Sequence, residues 1–327
     1  MLKSKVLYML DQKKGTIVTG GQLASVLGVS RNAIWKTVNA LKEDGNEILS
    51  IPNSGYKLMD TNDTLFERII RKNLTTECIG QNMTLLPTVH STNQYLKEMD
   101  TTDIPTGYAV IANEQTHGRG RKNRAFLSPK SEGVYLSILL KLDGRQNDIR
   151  LLTICTAIAV SNAIEKICDV KTDIKWVNDI FCNGKKICGI LTEGMLSGEL
   201  QELSTVIVGI GINTGCVPIE ICDIATSIQE EAGIRGIRNR LAAEALNQFE
   251  KAYRDFGEKE KQQDIIDCYK KRLFIIGRQV LVTGAKHDYT ATVLGIDETG
   301  ALIVKDDNQV IQHISTGEII LEWKNKK

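Results

Sequence analysis

Residues 175–193, KWVNDIFCNGKKICGILTE, place an Asn-Gly pair between two apolar stretches. Asn-Gly in this setting is a strong signal for the two-residue turn of a β-hairpin. Such a turn pairs Phe181 with Lys186 and puts Asn178 opposite Gly189. The sequence therefore predicts a hairpin at the centre of the chain.

This hairpin gathers charged and amide side chains near one short stretch of sheet, namely Lys175, Asn178, Asp179 and Lys186. Lysine charges beside an Asn-Asp pair suit a phosphate with bound magnesium. A surface hairpin with solvated lysines has the same residues, so these residues alone leave both interpretations open.

Outward from the hairpin, the pattern predicts an α+β domain. Apolar runs favour strands at Tyr108–Ala112, Val134–Leu142, Ile187–Leu191 and Thr205–Ile212, and helices at Leu151–Ile167 and Arg240–Phe256. Strands and helices mix without strict alternation, which favours the α+β class with a mixed sheet.

A basic glycine loop follows the strand predicted at Tyr108–Ala112. Residues 118–124, GRGRKNR, hold four cations and two glycines. Glycine lets backbone N–H groups approach a ligand closely, and arginine presents a planar fork for phosphate or carboxylate. The loop fits closure over a small anion, and its composition equally fits a solvated loop or a nucleic-acid patch.

Two further runs carry polar or glycine positions that suit a ligand. The strand predicted at 206–213, VIVGIGIN, holds two glycines that let something flat approach the backbone, with Asn213 at its end. Residues 90–94, HSTNQ, offer hydroxyl and amide groups at a helix start. Core packing and helix capping, respectively, explain these runs as readily.

Residues 1–60 predict a winged helix-turn-helix. A short helix from Gln22 ends at Gly28, and Ser30 caps a second helix running to about Glu43. The second helix has an apolar back and an amide-plus-cation front, and the turn at 52–55 makes a wing. The segment holds eight basic and five acidic residues, a modest bias that suits phosphate contact. A helical bundle for protein contacts is the alternative. The residues predicted to contact DNA are Ser30, Arg31, Asn32, Trp35, Lys36 and Asn39.

Residues 61–80 predict a linker with one helix, at Leu65–Lys72, and residues 81–270 the large domain. In the last segment, 271–327, short strands predict a small β-barrel. These strands are Gln279–Val282, Thr290–Ile296, Ala301–Lys305 and Val310–His313, separated by turn residues including 284–286.

Composition narrows the class of protein. The 327 residues are 42% hydrophobic and 25% charged with a net charge of +1, so any DNA contact must come from a local patch. None of the eight cysteines forms Cys-x-x-Cys, which favours free thiols in a cytoplasmic protein over a zinc site. We found no apolar run near the roughly 20 residues that span a bilayer, and we expect no membrane partner.

Read in order, these runs resemble the biotin–protein ligases. The matching elements are Ser91-Thr92-Asn93, Gln115 with Gly118-Arg119-Gly120-Arg121 and Arg124, Lys175-Trp176 with Asn178-Asp179, Lys186 with Gly189 and Glu193, Gly209 and Gly211 with Asn213, and Ala225-Thr226-Ser227-Ile228. With a winged helix in front and a small barrel behind, the whole chain is similar to the bifunctional class that is also a biotin operon repressor, the BirA type.

The resemblance implies a two-step reaction with ATP, Mg²⁺ and biotin. Biotin and MgATP give biotinyl-5′-adenylate and pyrophosphate, and a lysine of a biotin carboxyl carrier domain then takes the biotin. Lys186, Arg119 and Arg121 are the implied catalytic residues. Biotin binding is implied for Ser91, Thr92, Asn93, Gln115, Gly118, Arg119, Arg121, Lys186 and Gly189. Contact with ATP or the adenylate is implied for Lys175, Trp176, Asn178, Asp179 and Asn213, with Asp179 near Mg²⁺.

The resemblance also implies a switch, with biotin as the corepressor precursor. When carrier is scarce, the adenylate persists, orders the glycine loop and favours a homodimer that binds operator DNA through two winged helices. Phe126 stands where tryptophan is common, Val177 where proline is frequent, Asn123 where some members have glycine, and Glu322 where some have arginine. A lipoate–protein ligase, a regulator without catalysis, and a ligase without DNA binding are the alternatives.

Overall fold

The computed structural model describes residues 2–142, 148–197, 202–283 and 288–321. Within these ranges the chain forms three sheets, of three, seven and five strands. The turn predicted at 284–286 and the departure at Glu322 lie outside the described residues.

The first sheet belongs to a winged helix-turn-helix, as predicted. Its elements are α1 (Leu2–Asp11), β1 (Ile17–Val18), α2 (Gly20–Leu27), α3 (Arg31–Glu43), β2 (Ile48–Ile51) and β3 (Gly55–Leu58), with strand order β1-β3-β2. Gly28 ends α2 in the left-handed conformation, and the Ser30 hydroxyl accepts the Ala33 N–H at 3.1 Å at the start of α3. These local signals explain why the sequence located both helices.

One apolar face of α3 packs into the small core of this domain. Ile34, Val38 and Leu41 are buried against α1 and the wing. A short helix, α4 (Glu67–Lys72), then leads to the large domain.

The large domain is built on the seven-stranded sheet. Its strands are β4 (Met83–Leu86), β5 (Tyr108–Ala112), β6 (Gly133–Lys141), β7 (Asp173–Lys175), β8 (Asp179–Cys182), β9 (Lys185–Ser197) and β10 (Glu202–Asn213), in the order β4-β5-β6-β10-β9-β8-β7. Only β4 and β5 run parallel among these described pairs, so the sheet is mixed, as predicted.

Helices cover this sheet. On one side α5 (Thr92–Glu98) packs Leu96 against the sheet residues Val110, Leu139 and Ile207. The main core involves α6 (Ile149–Cys168), α7 (Ile228–Ala232), α8 (Arg238–Phe256) and α9 (Lys259–Arg272). β4, β7, α7 and α9 were not foreseen, because each is short or weakly apolar.

The hairpin predicted at 175–193 is present, but its register is partly wrong. Phe181 pairs with Lys186 as predicted, whereas a β-bulge next to that pair shifts the following residues by one. Asp179, not Asn178, therefore lies opposite Gly189. The extra residue on β9 is Ile187, whose side chain is completely buried.

Helix α6 corrects one sequence expectation. It is long and apolar enough to cross a membrane by length and composition, and 72% of its apolar window is buried inside the protein. The expectation that no apolar run approaches this length is therefore wrong. The burial of α6 is that of a core helix.

The last sheet is antiparallel, with β11 (Gln279–Thr283), β12 (Tyr289–Ile296), β13 (Leu302–Asp306), β14 (Ile311–Ile314) and β15 (Glu318–Leu321) in the order β14-β13-β12-β11-β15. Its β12–β13 turn docks on the large domain, where the Trp176 Nε1–H donates to the Gly300 carbonyl at 3.0 Å. Arg150 also donates to the Thr299 carbonyl at 3.0 Å. The small β-domain is therefore held beside the central hairpin.

Candidate active site

A cavity of about 320 Å³ opens where the central sheet meets the last one. It collects residues from every run that the sequence singled out in the large domain. These are Ser91, Thr92, Asn93, Gln115, Arg119, Gly120, Arg121, Arg124, Lys175, Trp176, Asn178, Asp179, Lys186, Gly189, Gly209, Gly211 and Asn213. Segments more than 100 residues apart thus form one site.

Gly118 does not line this cavity, but it shapes the loop that does. A Cβ there would collide with the Phe126 carbonyl oxygen, so only glycine fits. Phe126 N–H donates to the Gly118 carbonyl at 2.9 Å, and Gly120 N–H donates to Arg124 at 2.7 Å. Asn123 has φ +59°, a left-handed conformation that asparagine adopts more readily than most residues. The glycine loop therefore folds back on itself as a short hydrogen-bonded ribbon.

The tip of this loop is docked on β15. Arg121 Nη2 donates to the Gly317 carbonyl at 2.9 Å, and Arg124 forms an ion pair with Glu318 at 2.6 Å. Lys122 lies 3.8 Å from the same carboxylate. The last sheet, which we did not connect with ligand contact, thus supplies the counter-ion of the loop.

Lysine charges converge on Asp179 at the hairpin. Lys186 Nζ lies 2.7 Å from Asp179 Oδ1, and both side chains are largely buried. Burial lowers the pKa of Lys175, Asp179 raises it and Lys186 lowers it further. Lys175 and Lys186 therefore both interact with Asp179, and Glu318 and Arg124 add further charges of both signs.

The polar groups of Asn178 and Trp176 form hydrogen bonds with other residues of the protein. The Asn178 amide donates to the Ile190 carbonyl at 2.8 Å, and the Trp176 N–H is taken by Gly300. Asn178 Oδ1 accepts from Arg121 at 3.5 Å. These contacts position the hairpin and the loop relative to each other.

A hydrogen-bond network orients the side chains of Ser91, Thr92, Asn93 and Gln115, which form one part of the cavity wall, here called its deep end. Gln115 Oε1 accepts from the N–H and hydroxyl of Thr92, at 2.8 and 3.0 Å, and Gln115 Nε2 donates to Ser128. Buried Ser137 lies 2.6 Å from both the Thr92 hydroxyl and Asn93 Oδ1. The Ser91 hydroxyl faces the Gln94 N–H at 3.5 Å, as a helix cap. Each side chain is thereby fixed in orientation.

The sequence missed Ser128, Ser137 and Glu193 as parts of this network. Asn93 Nδ2 donates to Glu193 at 2.7 Å, and Lys97 forms an ion pair with the other oxygen of that carboxylate at 2.6 Å. Ser137 was hidden inside an apolar strand, where its isolated polarity was the available signal. Glu193 had been read only as part of the motif after the hairpin.

The two glycines of β10 accommodate groups of the protein itself. A Cβ at Gly211 would collide with the Phe126 ring, and one at Gly209 would collide with Asn93. The Lys186 ammonium lies 5.9 Å from the centre of the Phe126 ring. Asn213 donates to the Thr226 carbonyl at 3.0 Å, next to the Ala225-Thr226-Ser227-Ile228 element. At Gly211 the group that lies against the strand is the Phe126 ring of the protein, which agrees with core packing, the alternative to a bound ligand.

The predicted DNA-contacting residues lie on α3, far in sequence from the cavity. Arg31, Asn32, Trp35 and Lys36 are exposed, and 53% of the Trp35 surface is accessible. Asn39 is half-buried. The Ser30 hydroxyl is engaged as the helix cap, so a DNA contact from it competes with that cap.

Three family matches divide the chain. Residues 85–213 match the biotin/lipoate A/B protein ligase family, residues 3–57 an HTH domain and residues 275–322 the biotin protein ligase C-terminal domain.

Similar proteins cover nearly the whole chain. The bifunctional ligase/repressor BirA of Bacillus subtilis is 33% identical, covering 98% of both chains. BirA of Escherichia coli is 30% identical over 95% of both. Among solved structures, the biotin protein ligase of Aquifex aeolicus in complex with biotin and ATP aligns with a TM-score of 0.65 at 30% identity, covering 74% of this chain and 99% of that one.

Proposed function

Since this chain belongs to the family of bifunctional biotin–protein ligases and repressors, we propose that its central cavity makes biotinyl-5′-AMP and then biotinylates a carrier lysine. The observation that carries the assignment is the meeting of four distant motifs around one cavity, with Lys175 and Lys186 on its wall. The winged helix provides the repressor function.

In the first step a biotin carboxylate oxygen attacks the α-phosphorus of ATP, and pyrophosphate leaves. The chemistry needs alignment and charge neutralisation more than acid–base groups. Lys186 would bind both the carboxylate and the α-phosphate, in place of its ion pair with Asp179. Lys175, at the edge of the same cluster, suits the departing phosphates.

The biotin ring fits the polar network at the deep end of the cavity. Thr92, Gln115 and Ser91 would bind its ureido group, with Asn93 and Gly189 beside it and Gly118 shaping the loop above. Trp176, Asn178 and Asn213 would lie along the nucleotide. Because these groups are oriented by other parts of the protein, little reorganisation is needed on binding.

Mg²⁺ that arrives with ATP neutralises phosphate charge. Within the described ranges no group of three or more His, Cys, Asp and Glu side chains is arranged to hold a metal by itself. Asp179, which lines the cavity, would contact the ion, because Mg²⁺ is usually bound through one or two carboxylates plus substrate phosphates.

In the second step the carrier lysine amine attacks the carbonyl carbon of the adenylate, and AMP leaves. Until then the anhydride must be shielded from water. Arg119 and Arg121 would close over the adenylate, with the loop anchored through Glu318.

The division of labour follows the domains. We assign operator DNA to residues 1–60, the connecting helix to 61–80, ligation to 81–270, and support of the loop to 271–327. A homodimer formed through the large domain when adenylate accumulates would present two α3 helices to a palindromic operator. Carrier and operator as partners place this function in the cytoplasm.

The test is exchange of labelled pyrophosphate into ATP with purified protein. We expect exchange with biotin and none with lipoate, and transfer of biotin to a purified carrier domain. Exchange driven by lipoate instead would refute the substrate assignment. A gel shift with the upstream DNA of biotin synthesis or uptake genes tests the repressor function separately.

A further inference from the structure

Arg238, at the start of α8, is completely buried. Arginine is rarely buried unless paired. Its Nε–H donates to the Gly133 carbonyl at 2.8 Å, and its Nη1 donates to the Asp63 carbonyl at 3.0 Å and to Asn113 Oδ1 at 2.9 Å. One guanidinium therefore joins the linker after the wing, the end of β5 and the start of β6.

On one side this guanidinium is connected, through Gly133, to the part of the cavity wall that contains Asn213, which we call the nucleotide end. Gly133 is the strand partner of Asn213, which lines the cavity. The neighbouring Glu132 carbonyl accepts from the N–H groups of Thr214 and Gly215 at 2.8 and 2.9 Å. Asn213 and the carbonyl that Arg238 holds therefore belong to paired residues of β10 and β6.

On the other side it reaches the winged helix. Arg238 N–H donates to the Asp63 carboxylate at 2.7 Å. Lys14, just after α1, donates to the Asn62 carbonyl at 2.8 Å and to the Gly236 carbonyl at 3.2 Å. The linker is therefore clamped between the winged helix and the first residues of α8.

The junction is polar, charged and incompletely satisfied. Burial lowers the pKa of Arg238, opposed by the charges of Asp63, Tyr135 and Glu132. Nη2 of Arg238 has no hydrogen-bond partner among the described residues. A junction of apolar side chains is often at least as stable as one of buried charges. Stability alone therefore does not explain why Arg238 and Asp63 stand here.

We propose that Arg238 is a positioning residue that couples the nucleotide end of the cavity to the linker of the winged helix. The inference rests on the proposed function and adds the route between its two halves. Because coupling is reciprocal, the factor by which adenylate tightens operator binding equals the factor by which operator tightens adenylate binding.

Arg238→Lys tests this, since lysine keeps the charge but cannot hold three segments in one plane. Arg240→Lys, an exposed position on the same helix, is the matched control. Operator affinity is measured with and without biotin plus MgATP, in the absence of carrier. We expect the wild type and the control to show an affinity ratio of about fivefold or more, and Arg238→Lys a clearly smaller ratio, to which only dimer formation still contributes.

The kinetics of pyrophosphate exchange distinguish a positioning role of Arg238 from a general loss of folded protein. Arg238→Lys should raise the KM for ATP with kcat nearly retained. An unchanged affinity ratio in a folded Arg238→Lys, or a wild-type ratio of one despite binding to both ligands, would overturn the inference. A wild type without exchange or operator binding would instead refute the proposed function.

Lys14→Met serves if Arg238→Lys does not fold. Lys14 lies outside the cavity, so exchange should be unchanged while the affinity ratio falls several-fold. A wild-type ratio in Lys14→Met, with folding confirmed by thermal unfolding, would show that the junction does not carry the coupling.

Discussion

Two segments of this chain are rich in basic residues, the glycine loop 118–124 and the exposed face of α3. They differ in whether those basic side chains have partners in the protein. In the loop, Arg121 donates to a backbone carbonyl and Arg124 is paired with Glu318. On α3, Arg31 and Lys36 are exposed and have no ion pair within the part of the chain that the structure describes. The two segments therefore differ in the partners that distant residues supply, since Glu318 pairs with the loop.

We expect the largest effect from a substitution that removes a charge from the Lys175–Asp179–Lys186 cluster. Lys186→Ala should lower exchange by about 100- to 1000-fold, because a preorganised positive donor to the transferring phosphate is lost. Initial exchange rates at saturating biotin and ATP measure this.

The matched control is Lys185→Ala, since Lys185 donates to the Cys222 carbonyl and does not line the cavity. Turnover by Lys186→Ala at the level of this control would remove Lys186 from the mechanism.

The next effect lies on α3. Replacing both Asn32 and Lys36 with alanine should weaken operator binding by about 1–3 kcal/mol, through lost base-edge and phosphate contacts. A gel shift at fixed salt checks this, with pyrophosphate exchange as the internal control. If exchange fell and operator affinity did not, α3 would not be the DNA-reading surface.

A smaller effect is expected at the docking contact of the loop. Glu318→Gln removes the counter-ion of Arg124 but leaves the Arg121 contact with Gly317, so bound adenylate should leak only a few-fold faster. Because the Arg124 side chain is exposed, although Glu318 is not, we expect this pair to contribute about 1 kcal/mol. Release of labelled adenylate measures the rate, with Glu298→Gln at an exposed turn as control. Equal release from both variants would show that Glu318 does not hold the loop.

The last prediction concerns stability instead of function, through pH and the turn that docks the last sheet. Burial raises the pKa of Asp297, but hydrogen bonds from His313, Thr299 and the Ala301 N–H outweigh it and lower the pKa to about 2 from 3.8. A folded-state pKa below the unfolded value stabilises the protein above pH 3.8, and this contribution disappears as the pH falls toward 2.

Asp297→Asn should therefore flatten the acid side of the stability curve and lower stability at neutral pH. Urea unfolding at intervals between pH 7 and pH 3 tests this. An acid slope equal to that of the wild type would contradict the assignment of Asp297.

Much of the fold could be predicted because its signals are local. Ser30 and Gly28 delimit α2 and α3 through their own capping bonds, and Asn183-Gly184 sets the hairpin turn. The register beyond Phe181 could not be predicted, because the bulge at Ile187 places that side chain in a core built by other segments.

The candidate site shows the same division. Motif order identified the residues of the cavity, but nothing in the loop itself indicated that Phe126 would lie against Gly211, or that β15 would anchor its arginines. The residue types at Ser137 and Arg238 were visible in the chain, whereas their burial was not.

By itself, the sequence determined the family, the order of the domains and the helix caps. The tertiary structure decided the hairpin register, the partners of the basic loop and the junction at Arg238. The physical reason is that caps and tight turns depend on neighbours in the chain. Counter-ions and packing partners come from segments that meet only after folding, such as Arg124 and Glu318.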